Sequence, residues 1–233
     1  MSKNFYEKPL FTFPNYIFSF IQSSFYFFLC NILLIFFFIV TYYSPKTFST
    51  ILLYLCLIPM GPSLGALYCV CSKLISEKDI FFASKFWYYY KYNFKSYIKI
   101  WFIELTLLLI FTIDYEFFYF NLPNKIIQFI FILLNITTLA IGFYAFAINS
   151  KFAFKLKDLF LLSILYSVKK FPVTIMKLII LIFCFFLVGN IGLIFIPFIP
   201  AALCTIFYYF DRLFFDEIKN RFTTKSNNFH ISD

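Results

Sequence analysis

Long unbroken apolar runs, rather than a strict alternation of apolar and polar positions, organise this chain. From Ile32 to Val40 every side chain is apolar, and comparable runs recur as far as Phe210. A membrane barrel would show segments of about 10 residues alternating in polarity. Runs that are apolar on every face call for helices instead, because hydrocarbon offers the backbone no outside hydrogen-bond partner. The pattern predicts an all-α, polytopic membrane helix bundle in a single integral membrane domain, 1–233, with about six spans at 17–43, 50–70, 98–113, 126–149, 173–188 and 193–210. Ser44-Pro45-Lys46-Thr47, Asn121-Leu122-Pro123-Asn124 and Gly189-Asn190-Ile191-Gly192 are the turns that divide them. The 38 residues from Val173 to Phe210 exceed one crossing of about 20 residues, and a five-span arrangement is the alternative. The first run is longer than the about 7–15 residues of a secretory leader and is followed by no small-residue cleavage site, so it reads as a retained span.

Two basic segments, 71–97 and 150–172, interrupt the apolar pattern. In the first, Ser76 and Asp79 have the spacing of a capping box. Ile75, Phe82, Phe86, Tyr90, Phe94 and Tyr97 recur there at helical intervals beside Lys78, Lys85, Lys95 and Lys99. In the second, 159–168 is too short to cross a bilayer. Both read as amphipathic helices lying at the cytoplasmic interface. With the lysine-rich segments inside, the acidic turn from Asp114 to Lys125 falls outside. An even span number then leaves both termini, including the tail 211–233, in the cytoplasm.

Composition sharpens the class: 62% of the 233 residues are hydrophobic and 13% charged, against roughly a quarter charged in soluble domains. The 40 Phe and 18 Tyr have A/T-rich codons and point to a low-GC bacterial genome, hence a bacterial cytoplasmic (inner) membrane. A net charge of +9 spread between apolar spans matches anionic lipid heads, each nearby Lys contributing about 1 kcal/mol. Lys78, Lys85, Lys91, Lys95, Lys99, Lys169 and Lys170 are the candidate head-group contacts. No nucleic acid is expected, since no reading module accompanies the charge. Trp87-Tyr88-Tyr89-Tyr90 reads as an interface anchor. The cysteines fall mostly within apolar runs and read as small hydrophobes. With His230 as the single histidine, neither a metal nor a cofactor is expected.

Three groups of residues are candidates for chemistry inside the spans. Glu104 in the third span reads either as a proton or cation site facing the bundle interior or as a carboxylate paired with Lys99, Lys177 or the surface. Lys177 in the fifth span either snorkels or serves as that partner. Asn135, with Thr137 and Thr138, marks the middle of the fourth span as interhelical glue or a polar path. Pro59, Gly61 and Pro62, echoed by Pro197 and Pro200, are candidate helix kinks, and paired kinks of this kind occur at transporter sites. No phosphate-cradling loop, intramembrane histidine or suitably spaced carboxylate pair points to an enzyme.

The stretch Pro62-Ser63-Leu64-Gly65-Ala66-Leu67-Tyr68, then Lys73-Leu74, Asp79-Ile80 and Phe86-Trp87-Tyr88-Tyr89-Tyr90-Lys91-Tyr92-Asn93-Phe94-Lys95 resembles the YesL-like family of small bacterial multi-span membrane proteins of uncharacterised function. Tyr144-Ala145-Phe146 before the second basic segment is similar to the family's counterpart. The chain has Ser72-Lys73 where the family usually carries arginine. The resemblance implies no catalytic residues. It implies an accessory role, since some members are encoded beside carbohydrate uptake systems. The expectation is therefore a non-enzymatic accessory or regulatory component associated with carbohydrate uptake, bound to lipid and to a transporter permease or to copies of itself. The alternative is a small-solute or ion transporter or channel that uses an intramembrane carboxylate.

Overall fold

The computed structural model describes residues 9–77, 85–191 and 198–229, and every regular element among them is helical. In chain order these are α1 (Pro9–Cys30), α2 (Ile32–Tyr43), a 3-10 turn (Pro45–Thr47), α3 (Thr50–Cys56), α4 (Met60–Glu77), α5 (Phe86–Phe120), α6 (Lys125–Lys151), α7 (Leu156–Lys169), α8 (Phe171–Ile191) and α9 (Ile199–Phe229). Among the described residues α5 and α6 are each long and apolar enough to cross a membrane, and the number reaches 5 if each of three bent helix pairs is one span. The outward faces fit that solvent. Ile32, Leu33, Ile35, Phe36, Phe38 and Ile39 on α2 are exposed, as are Ile179, Ile182, Phe183 and Phe185 on α8. Apolar surface on this scale is not left facing water.

Each bend has a local cause. The expected first span breaks at Asn31, where α1 and α2 meet at 72°. The Asn31 side chain is buried and donates to the Phe27 carbonyl at 2.8 Å and to Ser63 Oγ at 2.9 Å, tying the break to α4. The second span bends by 42° between α3 and α4 at Pro59, as the sequence leads one to expect of a residue without an N–H. The Leu57 carbonyl at that break accepts a 2.8 Å bond from Trp101 Nε1 of α5. Pro62 sits in the first turn of α4 and Pro200 in the first turn of α9, positions where a missing N–H breaks no intrahelical bond. Pro200 therefore starts a helix rather than kinking one. Pro197 and Gly192 lie outside the described residues, while Gly189 to Ile191 still belong to α8.

Helix continuity departs from the expected division of the chain in two places. No Gly or Pro occurs from Phe86 to Phe120, and α5 runs unbroken for 35 residues. At 1.5 Å per residue that is about 52 Å, well beyond a hydrocarbon core of about 30 Å. The basic segment 71–97 is accordingly no separate helix among the described residues. Ser76 lies inside α4 rather than starting a helix, the segment's second half is the first turns of α5, and Lys78 and Asp79 lie outside the described residues. Asp114 and Glu116 sit on the last turns of α5, not in the following turn, and Glu116 Oε1 accepts from Thr50 Oγ1 at 2.6 Å. The breaker at Asn121–Asn124 does separate α5 from α6, and the Asn124 side chain caps α6 by accepting from the N–H groups of Ile126 and Ile127. After Pro200, α9 likewise has no breaker and continues through the expected start of a tail at Asp211.

Helix α4 lies at the centre, packed against α1, α5, α6 and α9, with Ala66, Leu67, Val70 and Cys71 buried. Its small residues allow this. A methyl group on Gly61 would overlap Cβ and Cγ of Trp101, and one on Gly65 would overlap the Tyr97 ring. The two glycines are four residues apart, as are their two partners on α5, so the contact repeats once per turn along both helices.

Candidate functional site

The buried stripe of α9 follows helical spacing: Ala201, Cys204, Tyr208, Asp211, Phe215 and Ile218. Asp211 is the one charged member. It faces Lys177, whose neighbours on α8 are largely exposed while Lys177 itself is 0% exposed. Lys177 Nζ donates to Asp211 Oδ1 at 2.5 Å, and Tyr68 on α4 donates from its hydroxyl to Asp211 Oδ2 at 2.6 Å. The ammonium lies 4.3 Å from the centre of the Tyr144 ring on α6 and 5.6 Å from that of Phe207. Both rings offer their negative faces to it. The Tyr144 hydroxyl shares a 3.0 Å bond with Thr174 Oγ1, and Thr174 in turn donates to the Ser167 carbonyl at 2.9 Å. One carboxylate and one ammonium thus join α4, α6, α8 and α9, with the end of α7 attached through Thr174.

Glu104 is placed elsewhere. It is buried at 4% exposure on α5, facing α6, and its carboxyl group rests against Gly142, where any Cβ would collide with it. Oε2 has no hydrogen-bond partner. Of the partners expected for it, Lys177 belongs to Asp211 and Lys99 is exposed and makes no ion pair among the described residues. Asn135 joins a different chain of contacts: its Oδ1 accepts from Thr112 Oγ1 at 3.4 Å, and Thr112 bonds the Tyr54 hydroxyl at 2.8 Å. That arrangement links α3, α5 and α6 through polar groups. The structure therefore does not gather Glu104, Lys177 and Asn135 into one site.

The candidate lipid contacts also divide. Lys91, Lys95 and Lys99 are exposed on α5. Lys169 and Lys170, at the 91° elbow between α7 and α8, both reach Glu217 of α9, at 2.6 and 2.5 Å. Their hydrogen bonds hold the Glu217 carboxyl down at about 2, below its ordinary 4.5. A depressed carboxylate contributes stability that is fully present above its ordinary value and is lost as pH falls through the folded value. Thermal melting in detergent should therefore weaken as pH drops from about 4.5 toward about 2. Glu217→Gln should flatten that fall, and an unchanged profile would remove the clasp from the account. Because Glu217 is partly exposed, solvent keeps the effect small.

A family model described as "Protein of unknown function, DUF624" matches residues 27–115. The match takes in α2 to α4 and most of α5, and so includes Tyr68, Glu104 and the glycines of the α4–α5 contact, but not Lys177 or Asp211. No curated protein matches the chain, and no solved structure does.

Proposed function

We propose that this chain is a non-enzymatic accessory or regulatory protein of a bacterial inner membrane, of the YesL-like kind its residues resemble, and that it attends a carbohydrate uptake permease. In this reading it crosses the bilayer six times, with α9 supplying the last crossing and both termini in the cytoplasm. The basic start of α5 and helix α7 then lie at the cytoplasmic interface. One observation carries the proposal: the Lys177–Asp211 pair is closed, its two side chains 0% and 1% exposed. The two most deeply buried charged side chains among the described residues bond each other and Tyr68, which suits a body that holds its shape. Gentle extraction from native membranes should recover the protein with a permease. Recovery as a lone monomer across several mild detergents would refute the accessory role.

A second reading, a solute or ion transporter, draws on Glu104, whose Oε2 is buried without a partner. It requires that Glu104→Gln abolish a proton- or solute-dependent flux that wild-type protein supports in reconstituted vesicles. Equal silence of the two would leave the accessory reading alone.

A further inference from the structure

Where α5 emerges from its apolar stretch, three elements line an open cleft of about 280 Å³. Lys95, Ser96 and Lys99 of α5 form one wall, Asn149 of α6 a second, and Phe154 and Leu159, before and on α7, the apolar third. Lys95 and Lys99 are one helical turn apart, so their ammonium groups reach the same volume. Both are exposed, and neither makes an ion pair among the described residues. Ser96 Oγ donates to Asn149 Oδ1 at 2.7 Å, which fixes the polar wall across the two helices. Asp158, exposed on the same end of α7, is not among the lining residues. The cavity is just smaller than the about 300–1,000 Å³ of pockets that engulf a drug-sized ligand. It has room for a head group and not for a whole lipid.

We propose that this cavity binds the phosphate of an anionic ligand, with Lys95 and Lys99 neutralising it and Ser96 and Asn149 forming its polar wall. Lysine serves phosphate as a point charge, and basic pockets between membrane helices hold phospholipid heads. Phe154, Leu156 and Leu159 give the cleft an apolar wall opposite its charged one. The inference rests on the membrane reading above, but on neither the accessory role nor the transporter alternative.

The test uses the full chain in nanodiscs of phosphatidylcholine with or without phosphatidylglycerol, with retained lipid counted by native mass spectrometry. Insertion into the disc is scored first, so a failure of the membrane reading is seen separately from a failure of this site. Wild type should retain phosphatidylglycerol in preference to phosphatidylcholine. Lys95→Gln/Lys99→Gln should lower that preference about thirtyfold and Lys99→Gln alone about fivefold. Lys95→Arg/Lys99→Arg should keep it, which separates lost charge from lost fold. Lys157→Gln/Arg212→Gln removes equal charge from exposed positions outside the cavity and should leave it intact. A second arm adds inorganic phosphate alone: binding that depends on Lys95 and Lys99 without any lipid preference assigns the site to free phosphate rather than a lipid head. Equal losses in the two charge-removing pairs, or no lysine-dependent binding of either ligand, would overturn the proposal.

Discussion

Asp211→Asn should destabilise the bundle by about 3–5 kcal/mol, the cost of leaving a buried ammonium without its counter-charge. Lys177 is fully buried, with the Tyr144 and Phe207 rings beside it and no other carboxylate bonded to it among the described residues. The asparagine would still accept from Tyr68, so the loss reports the charge and not the hydroxyl bond. Lys177→Met/Asp211→Leu removes both charges and should recover most of the loss, because replacing a whole buried pair by apolar groups is often neutral. What the double variant keeps is the smaller penalty of a Tyr68 hydroxyl without its acceptor. Thermal or denaturant unfolding in detergent of Lys177→Met, Asp211→Leu and the double variant completes the cycle. Additive losses would mean that the two charges do not stabilise one another.

Gly65→Ala should cost about 1–3 kcal/mol, the usual penalty of overpacking a filled contact, and Gly61→Ala a similar amount. At Gly65 the new methyl meets the ring of Tyr97, which is fully buried, and at Gly61 it meets Cγ of Trp101 and its Cβ, an atom no rotamer can move aside. Exposed on an isolated helix, the same change would stabilise by about 1 kcal/mol, so the sign itself is informative. In a Tyr97→Ala background the obstruction is gone and Gly65→Ala should turn neutral or favourable. Were Gly65→Ala stabilising in the wild-type background, the close approach of α4 to α5 would be wrong.

How much of this was legible in the residues varies from element to element, for physical reasons. Apolar runs and the absence of alternation are properties of composition, so helices and a lipid-compatible surface could be read directly. So could the bend at Pro59 and the turn at Asn121–Asn124, because each follows from one residue's stereochemistry. Helix ends were harder. Charge along α5 falls away after Lys99 while its backbone does not change, and with no Gly or Pro the helix ignores the change in polarity. Reading polarity as structure split α5 and misplaced Asp114 and Glu116.

Asp211 was missed for the same reason. It stands where the apolar run ends, and it reads as the first residue of a tail unless the alternating three- and four-residue spacing from Ala201 to Ile218 is followed across it. That rhythm was the available signal. Lys177 was read as snorkelling or as a partner of Glu104, and its pairing with Asp211 instead depends on which helix α8 lies against. Asn31 was missed as well, since a lone asparagine within an apolar run carries no local sign that its side chain will bridge to Ser63.

The order in which the ion pair is synthesised has a consequence for biogenesis. If the bundle crosses a bilayer as proposed, translation delivers the ammonium of Lys177 to it 34 residues ahead of the only carboxylate it bonds among the described residues. During that interval α8 carries an uncompensated cation that hydrocarbon resists. In the proposed arrangement, final settling of α8 is therefore expected to wait for α9, so that the two helices enter the lipid together rather than one after the other.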